Sequence, residues 1–219
     1  MGFQSEAISS QGSVILVEDS STAGTPVTIT AITQANPPAV TATNTYADGD
    51  VVRFSGSASM PEINGLSAVV DGATATSFNA VGIDATGFAA AGTDGTAVKV
   101  GFVPLCEART FTGFDGQAAE IDVTTMCSTA KEFVPGLQDF GQFSFEMNYV
   151  PTDPAQMILQ AAKASAAKLN FRLVLPGDFG EHIFVAFVRQ MTITGGADAA
   201  LRSNVVLRIT GEPTYIPGA

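Results

Sequence analysis

Gly141-Gln142-Phe143-Ser144-Phe145-Glu146-Met147-Asn148-Tyr149 alternates polar and apolar residues. A period of two marks a strand with one face in a core. Pro151-Thr152-Asp153-Pro154 follows and starts a helix. Asp153 suits the N-cap, Pro154 the first helical position, and Gln156 completes a capping box. Met157, Ile158, Ala161 and Ala162 share one face of that helix, expected over about 153–167. Lys163 and Lys168 lie near its C-terminal end, where cations suit the dipole. Phe171 to Leu175 reads as a strand and Pro176-Gly177 as a turn. His182 to Val188 is another strand, Gly195-Gly196 a turn or bulge, and Asn204 to Pro213 the closing strand. This order describes a mainly β domain with one helix packed on a sheet.

Working outward, Ser13-Val14-Ile15-Leu16-Val17 is an apolar strand near the start, followed by a polar loop over Glu18 to Gly24. From about Val27 to Val98 the character changes. Val27 to Ile32 alternates, Asn36-Pro37-Pro38 breaks it, and Ala39 to Ala42 is a second strand. Val51 to Gly56, Leu66 to Val70 and Thr74 to Phe78 follow, between Asp-Gly and Asn-Gly turn signals. Strands this short at this spacing make a small barrel or sandwich. The expected organisation is therefore residues 1–26 and 99–219 as one domain, with 27–98 as an inserted β module. An insertion needs its two ends close together.

The chain carries 21 Asp and Glu against 10 Lys and Arg, and only 14% of it is charged. Binding to a nucleic-acid groove by counterion release needs a basic face, and this balance cannot build one. An acidic wall still suits DNA that must slide past without sticking. The module is more lopsided: Asp48, Asp50, Glu62, Asp71, Asp84 and Asp94 against Arg53 alone. It is expected on the outside of an assembly. Met1-Gly2-Phe3-Gln4 has no basic start and no apolar run behind it, so no secretion signal is expected. No apolar run approaches the roughly 20 residues of a membrane helix. Cys106 and Cys127 are too few and too isolated for a disulfide framework or a metal site, and read as two reduced thiols.

Chemistry-bearing motifs are sparse. Ser128-Thr129-Ala130-Lys131 matches S-x-x-K, without the companion motifs of that nucleophile. Thr129 to Glu132 also reads as a local cap. His182 is the only histidine and is expected on an edge. No calcium loop or phosphate-cradling glycine loop is present. No catalytic residue, cofactor or metal is expected. An enzyme acting at a host surface is the weakest alternative, because one histidine and scattered acids form no constellation.

Ile121 to Gly141 is a different kind of signal. It begins as a strand and becomes a long irregular run carrying Phe133, Val134, Leu137 and Phe140. Loops longer than about 12–15 residues are usually functional or disordered. Apolar residues on one suggest that it docks on a neighbour.

The phrase Asp122-Val123-Thr124 followed by Ser128 to Gly141, with the strand and helix order behind it, resembles the tail tube proteins of long-tailed, siphovirus-like bacteriophages. The resemblance covers about Gly101 to Ile216. Ile29 to Pro37, Asp48 to Val52, Met60 to Gly65 and Gly82 to Gly87 resemble a small β module inserted in many phage structural proteins. The resemblance implies a β-sandwich with a flanking helix that polymerises. Hexameric rings, with strands lining one inner β-barrel, would stack into a hollow tube. It implies that Thr129, Lys131, Glu132, Phe133, Pro135 and Leu137 reach adjacent subunits. The strand from Phe143 to Tyr149 and the one starting at Leu169 would form the barrel.

The implied partners are further copies of the chain, a tape measure protein in the lumen, and the tail terminator and distal tail proteins. DNA would pass without specific binding. The implied location is the virion tail, assembled in the host cytoplasm. Before assembly, the Thr124 to Phe140 segment and the N-terminal residues are expected to be disordered, becoming ordered on a neighbour. The alternatives are a host-recognition module at the virion surface and the inner tube of a contractile tail. The acidic module favours a tube without a sheath.

Overall fold

The structure is a computed structural model and describes residues 9–218. The N-terminal residues expected to form part of an arm, 1–8, lie outside that range. The first strands are β1 (Val14–Glu18), β2 (Val27–Thr28), β3 (Ala31–Ile32), β4 (Ala39–Thr41), β5 (Val51–Ser55), β6 (Ser67–Asp71), β7 (Ser77–Val81) and β8 (Thr96–Lys99). They are followed by β9 (Phe102–Pro104), β10 (Ala108–Gly113), β11 (Ala118–Asp122), β12 (Phe133–Gln138) and β13 (Gln142–Asn148). Helix α1 (Pro154–Ser165) precedes β14 (Lys168–Val174), β15 (Glu181–Gly196), β16 (Ala199–Ile209) and β17 (Thr214–Ile216). The fold is mainly β with one α-helix among the described residues, as expected. It divides into two compact units: Met1–Cys106 with Asn170–Phe184 and Pro213–Ala219, and Glu107–Leu169 with Val185–Glu212.

In the first unit, a seven-stranded antiparallel sheet runs β2-β8-β5-β6-β7-β4-β3. The Val27 to Ile32 run, expected as one strand, is split. Its first half pairs with β8 and its second with β4. The Ile29 amide reaches the Gly95 carbonyl at 3.0 Å and the Thr30 amide the Thr41 carbonyl at 2.9 Å. One continuous run thus holds both ends of the sheet and closes it into a small barrel. Ile29, Val40, Phe54, Met60, Ile63, Val70 and Phe78 fill its interior. The strand expected from Thr74 begins only at Ser77. The Thr74 hydroxyl accepts from the Ser77 amide at 3.0 Å and holds the preceding residues in a turn.

The same unit contains β9, β1 and β14 side by side, with Val17 opposite both Val103 and Phe171. β17 pairs with the start of β15, placing His182 opposite Tyr215. His182 is therefore inside a ladder rather than on an edge. Its ring lies 4.9 Å from that of Tyr215, and burial lowers its pKa, which favours the neutral imidazole.

Glu18, at the end of β1, is buried among four donors. Arg53 Nη1 and Nη2 lie 2.6 and 2.7 Å from its two oxygens. The Asn170 amide and Nδ2 reach Oε2 at 2.9 and 2.8 Å. Asn170 Nδ2 also donates to Ser67 Oγ at 3.2 Å. Arg53 and Ser67 belong to β5 and β6, so this network ties the small barrel to β1 and β14. Val51, Val69, Val100 and Ile183 form an apolar cluster of their own, with Phe102 and Ile216 against it. A buried charge stripped of its partner is costly even where the intact pair adds little. Arg53→Met is expected to cost about 2 kcal/mol by urea denaturation. Glu18→Gln in the same chain should recover part of that loss.

In the second unit the sheet runs β10-β13-β16-β15. Phe143, Phe145 and Met147 lie opposite Leu207, Val205 and Ser203, and all six are buried. Asp153 caps α1 as expected, accepting the Gln156 amide at 2.9 Å. The capping box is incomplete. Gln156 instead spans the preceding turn, its Oε1 accepting from the Val150 amide and its Nε2 donating to the Asn148 carbonyl. The buried face of α1 is Ala155, Gln156, Leu159 and Ala162, and Met157 is more than half exposed. The expected face was rotated because it followed Met157 and Ile158, where the fold buries the small residues and Gln156. Lys168 belongs to β14, not to the helix end.

Ser203 has a fully buried hydroxyl with no partner among the described residues. An unsatisfied buried hydroxyl costs about 1–3 kcal/mol. Ser203→Ala is expected to raise the urea midpoint, and a lower midpoint would show that the hydroxyl is satisfied after all.

Candidate assembly surfaces

The stretch expected as a strand followed by an irregular run is a β-hairpin. β11 and β12 pair as a two-stranded antiparallel sheet of their own, with Ile121 opposite Val134 and Asp122 opposite Phe133. Pro135 and Gly136 hid β12 in the sequence. A proline is tolerated here because each strand of a two-stranded ribbon is an edge. The tip is a closed turn: the Ser128 amide reaches the Thr125 carbonyl at 3.0 Å. Ser128 Oγ accepts from the Thr125 amide at 3.1 Å. The Glu132 amide donates to Thr124 Oγ1, so Thr129 and Glu132 cap no helix.

All six sequence-nominated residues, Thr129, Lys131, Glu132, Phe133, Pro135 and Leu137, are exposed on this hairpin. Strand alternation puts Phe133 and Pro135 on one face and Val134 on the other with Ile121, and a bulge between Pro135 and Gln138 interrupts the alternation at Leu137. Leu137 is 92% exposed, Ile121 52% and Phe133 51%. The ribbon therefore exposes apolar side chains on both faces.

The base of the hairpin is pinned. Asp139 accepts from the Gly141 amide at 2.9 Å and pairs with Arg208. Asp115 accepts from the Gln142 amide at 2.7 Å. Gly141 has φ +73°, and a Cβ there would meet the Asp115 carboxylate and the Gly116 amide. Only glycine fits this corner, which turns the hairpin into β13.

A second surface is the outer face of the β10-β13-β16-β15 sheet. Its rows are Thr112, Ser144 and Val206; Thr110, Glu146, Asn204 and Thr192; and Asn148, Arg202 and Thr194. Arg202 lies 3.0 Å and Arg109 3.7 Å from Glu146, while Arg189 donates to Gln142 at 3.0 Å. A polar depression of about 260 Å³ lies over Thr110, Ser144, Glu146 and Arg202. The residues that build this face were not nominated from sequence. Their signal was the polar half of the same alternation that identified the core half.

Charge is divided unevenly. By sequence the first unit holds 11 acids and 3 bases, and the second 10 acids and 7 bases. All three bases of the first unit are paired: Arg53 with Glu18, Lys99 with Asp50, and Arg172 with Glu181. Among the described residues no three metal-ligating side chains cluster, and Cys106 and Cys127 are free and exposed.

Residues 88–178, which hold β11, β12, β13 and α1, match the model of the lambda-like phage tail tube family. It is 22% identical to "Structural protein 3" of Pseudomonas phage PAJU2, over 49% of this chain and 79% of that one. The tail of an empty gene transfer agent particle, refined helically with C6 symmetry, has a chain 15% identical with a TM-score of 0.45. That alignment covers 52% of this chain and 86% of the other. A chain of the native gene transfer agent virion gives 14% and 0.46, over 52% and 88%. One of the six-fold symmetrised anti-feeding prophage baseplate gives 7% and 0.44, over 80% and 97%.

The Asp139 carboxyl is held below the usual 3.8, first by the Gly141 amide and then by Arg208. A lowered folded pKa contributes stability that is complete above the unfolded value and is lost as pH falls through the folded one. The hairpin base should therefore stay closed to below pH ~3.9. Carboxyl-carbon NMR titration checks this. An Asp139 midpoint at or above the unfolded value would remove this anchor.

Proposed function

We propose that this chain is the polymerising subunit of a non-contractile phage tail tube, forming hexameric rings that stack into a hollow conduit for DNA. The observation that carries the reading is the β11–β12 ribbon, apolar on both faces, inside the segment that matches the tail tube family. A two-stranded hairpin alone is marginally stable in water. Cover from a neighbouring subunit stabilises it, which assigns Thr129, Lys131, Glu132, Phe133, Pro135 and Leu137 to subunit contact. Rings stacked head to tail make heterologous contacts that do not close, so they grow into filaments.

The polar face of the β10-β13-β16-β15 sheet is our candidate for the inner wall. Its Thr, Ser and Asn residues, with arginines mostly neutralised by Glu146 and Asp139, present few unpaired charges to passing DNA. Among the described residues β10 is free along one edge, and pairing across such an edge is a route by which a subunit's sheet joins a larger barrel. Residues 27–98 form an inserted module on the outer side, and their acid surplus suits a surface without a sheath. The tape measure protein, tail terminator and distal tail proteins complete the assembly, which takes place in the host cytoplasm. The chain has no catalytic role.

Negative-stain electron microscopy of concentrated protein tests the reading. Hollow tubes with a regular axial repeat and outer bumps are expected. Persistent monomers, even with a tail initiator complex present, would overturn it. Deleting residues 28–98 should remove the bumps. Because the deletion also removes Arg53, it should be made together with Glu18→Gln.

A further inference from the structure

The sequence holds one Asn-Gly pair, Asn64-Gly65, and four Asp-Gly pairs: Asp48-Gly49, Asp71-Gly72, Asp94-Gly95 and Asp115-Gly116. The glycine of such a pair has no side chain to shield its amide nitrogen, which can attack the carboxamide or carboxyl before it. The attack needs a nitrogen that has no acceptor to keep and a side chain that can turn toward it. Exposure does not separate the five, since Asp48, Asn64, Asp71 and Asp115 are all exposed. Hydrogen bonding does.

Four of the pairs are held. Asn64 Oδ1 accepts from the Ser57 amide at 2.9 Å, and its Nδ2 donates to the Ser57 carbonyl at 2.8 Å. The Gly65 amide donates to the Phe54 carbonyl at 2.8 Å. Asp48 accepts from the Ala73 amide at 2.7 Å, and the Gly49 amide donates to the Val70 carbonyl at 2.9 Å. Asp94 accepts from the amides of Ala58 and Ser59 at 2.5 and 2.9 Å, and from the Ser59 hydroxyl. Asp115 accepts from the Gln142 amide at 2.7 Å, and a Cβ on Gly116 would meet the Asp139 carbonyl oxygen. Attack within any of these pairs must first break bonds that the fold has made. Asp71-Gly72 is different. Asp71 ends β6, and among the described residues its carboxylate has no hydrogen bond or ion pair. The Gly72 amide likewise donates to none of them, and the chain turns there at φ +60°.

We propose that Asp71-Gly72 is the site at which the folded protein first forms isoaspartate, and that Asp48-Gly49 follows. The Gly72 nitrogen loses its proton and bonds to Asp71 Cγ, whose carboxyl oxygen leaves as water, closing a succinimide. Water then opens the ring. Cleavage between the nitrogen and Cγ restores aspartate. Cleavage between the nitrogen and the main-chain carbonyl carbon gives isoaspartate, with the chain now running through Cβ. One water leaves and one returns, so the mass is unchanged and no other reactant is needed. The chain gains one atom just ahead of Ala73, whose amide is the donor that holds Asp48. Displacing that amide frees the Asp48 carboxylate, so damage passes from one turn of the small barrel to the next.

The test ages the full-length folded chain in neutral buffer and digests it with endoproteinase Asp-N, which cuts before aspartate but not before isoaspartate. Loss of the cut before Asp71, at unchanged peptide mass, is expected first, and loss of the cut before Asp48 only later. Asn64 should keep its amide in the folded chain and be the first of the five to react in urea. Earlier loss at Asp48, Asp94 or Asp115, or no loss at Asp71, would overturn the proposal. Deamidation of Asn64 as fast in the folded chain as in urea would also overturn it, because hydrogen bonding would then not be what separates the pairs. A second chain carries Asp71→Glu, which keeps the charge but must close a six-membered ring, a much slower reaction. Its cut before Asp48 should outlast that of the parent chain, and equal loss at Asp48 in the two chains would sink the coupled order.

Discussion

Apolar side chains on both faces of a two-stranded ribbon cannot all be covered by the chain that carries them. Ile121 and Val134 on one side, Phe133 on the other, and Leu137 at the bulge are all exposed. The rest of the second unit is arranged to hold that ribbon still. Asp139, Asp115 and Gly141 fix its base, and β13 runs directly from that base into the core through Phe143 and Phe145. A pinned base would limit the entropy lost in the docking proposed above, since less of the chain would remain to be ordered.

The first unit solves a different problem. The small barrel of β2 to β8 has its own sheet and interior, which would ordinarily permit it to move on its connections. The Glu18 carboxylate removes that freedom. It draws two donors from Arg53 and two from Asn170, and the cluster around Val51, Val69 and Ile183 dries the contact beside it. A satisfied buried carboxylate accepts one geometry well and others poorly, so the barrel is set at a fixed attitude to β1 and β14.

Much of this was legible in the sequence. The period-two run from Gln142 to Asn148 gave both the core row and the polar row of β13, and Asp153-Pro154 marked the helix start. Legibility failed where tertiary partners override local pattern. Val27 to Ile32 alternates as one strand because alternation cannot reveal a change of partner midway. Pro135-Gly136 looked like a break because propensity assumes a central strand, not a ribbon that is all edge. Gln156 satisfied the capping-box spacing, yet its amide found the Val150 and Asn148 backbone groups first. Glu18 read as a loop residue, since nothing local announces that Arg53 and Asn170 converge on it.

The pairing of every base in the first unit has a consequence at the scale of many particles. With Arg53, Lys99 and Arg172 already neutralised, the uncompensated charge of that unit is carboxylate. A polymer displaying this unit outward is a polyanionic rod. Two such rods repel sideways over a screening distance of about 8 Å at physiological salt, while growth along the axis proceeds through other surfaces. Multivalent cations and polyamines bridge carboxylates on facing rods, so they should gather these polymers into bundles that monovalent salt at equal ionic strength does not.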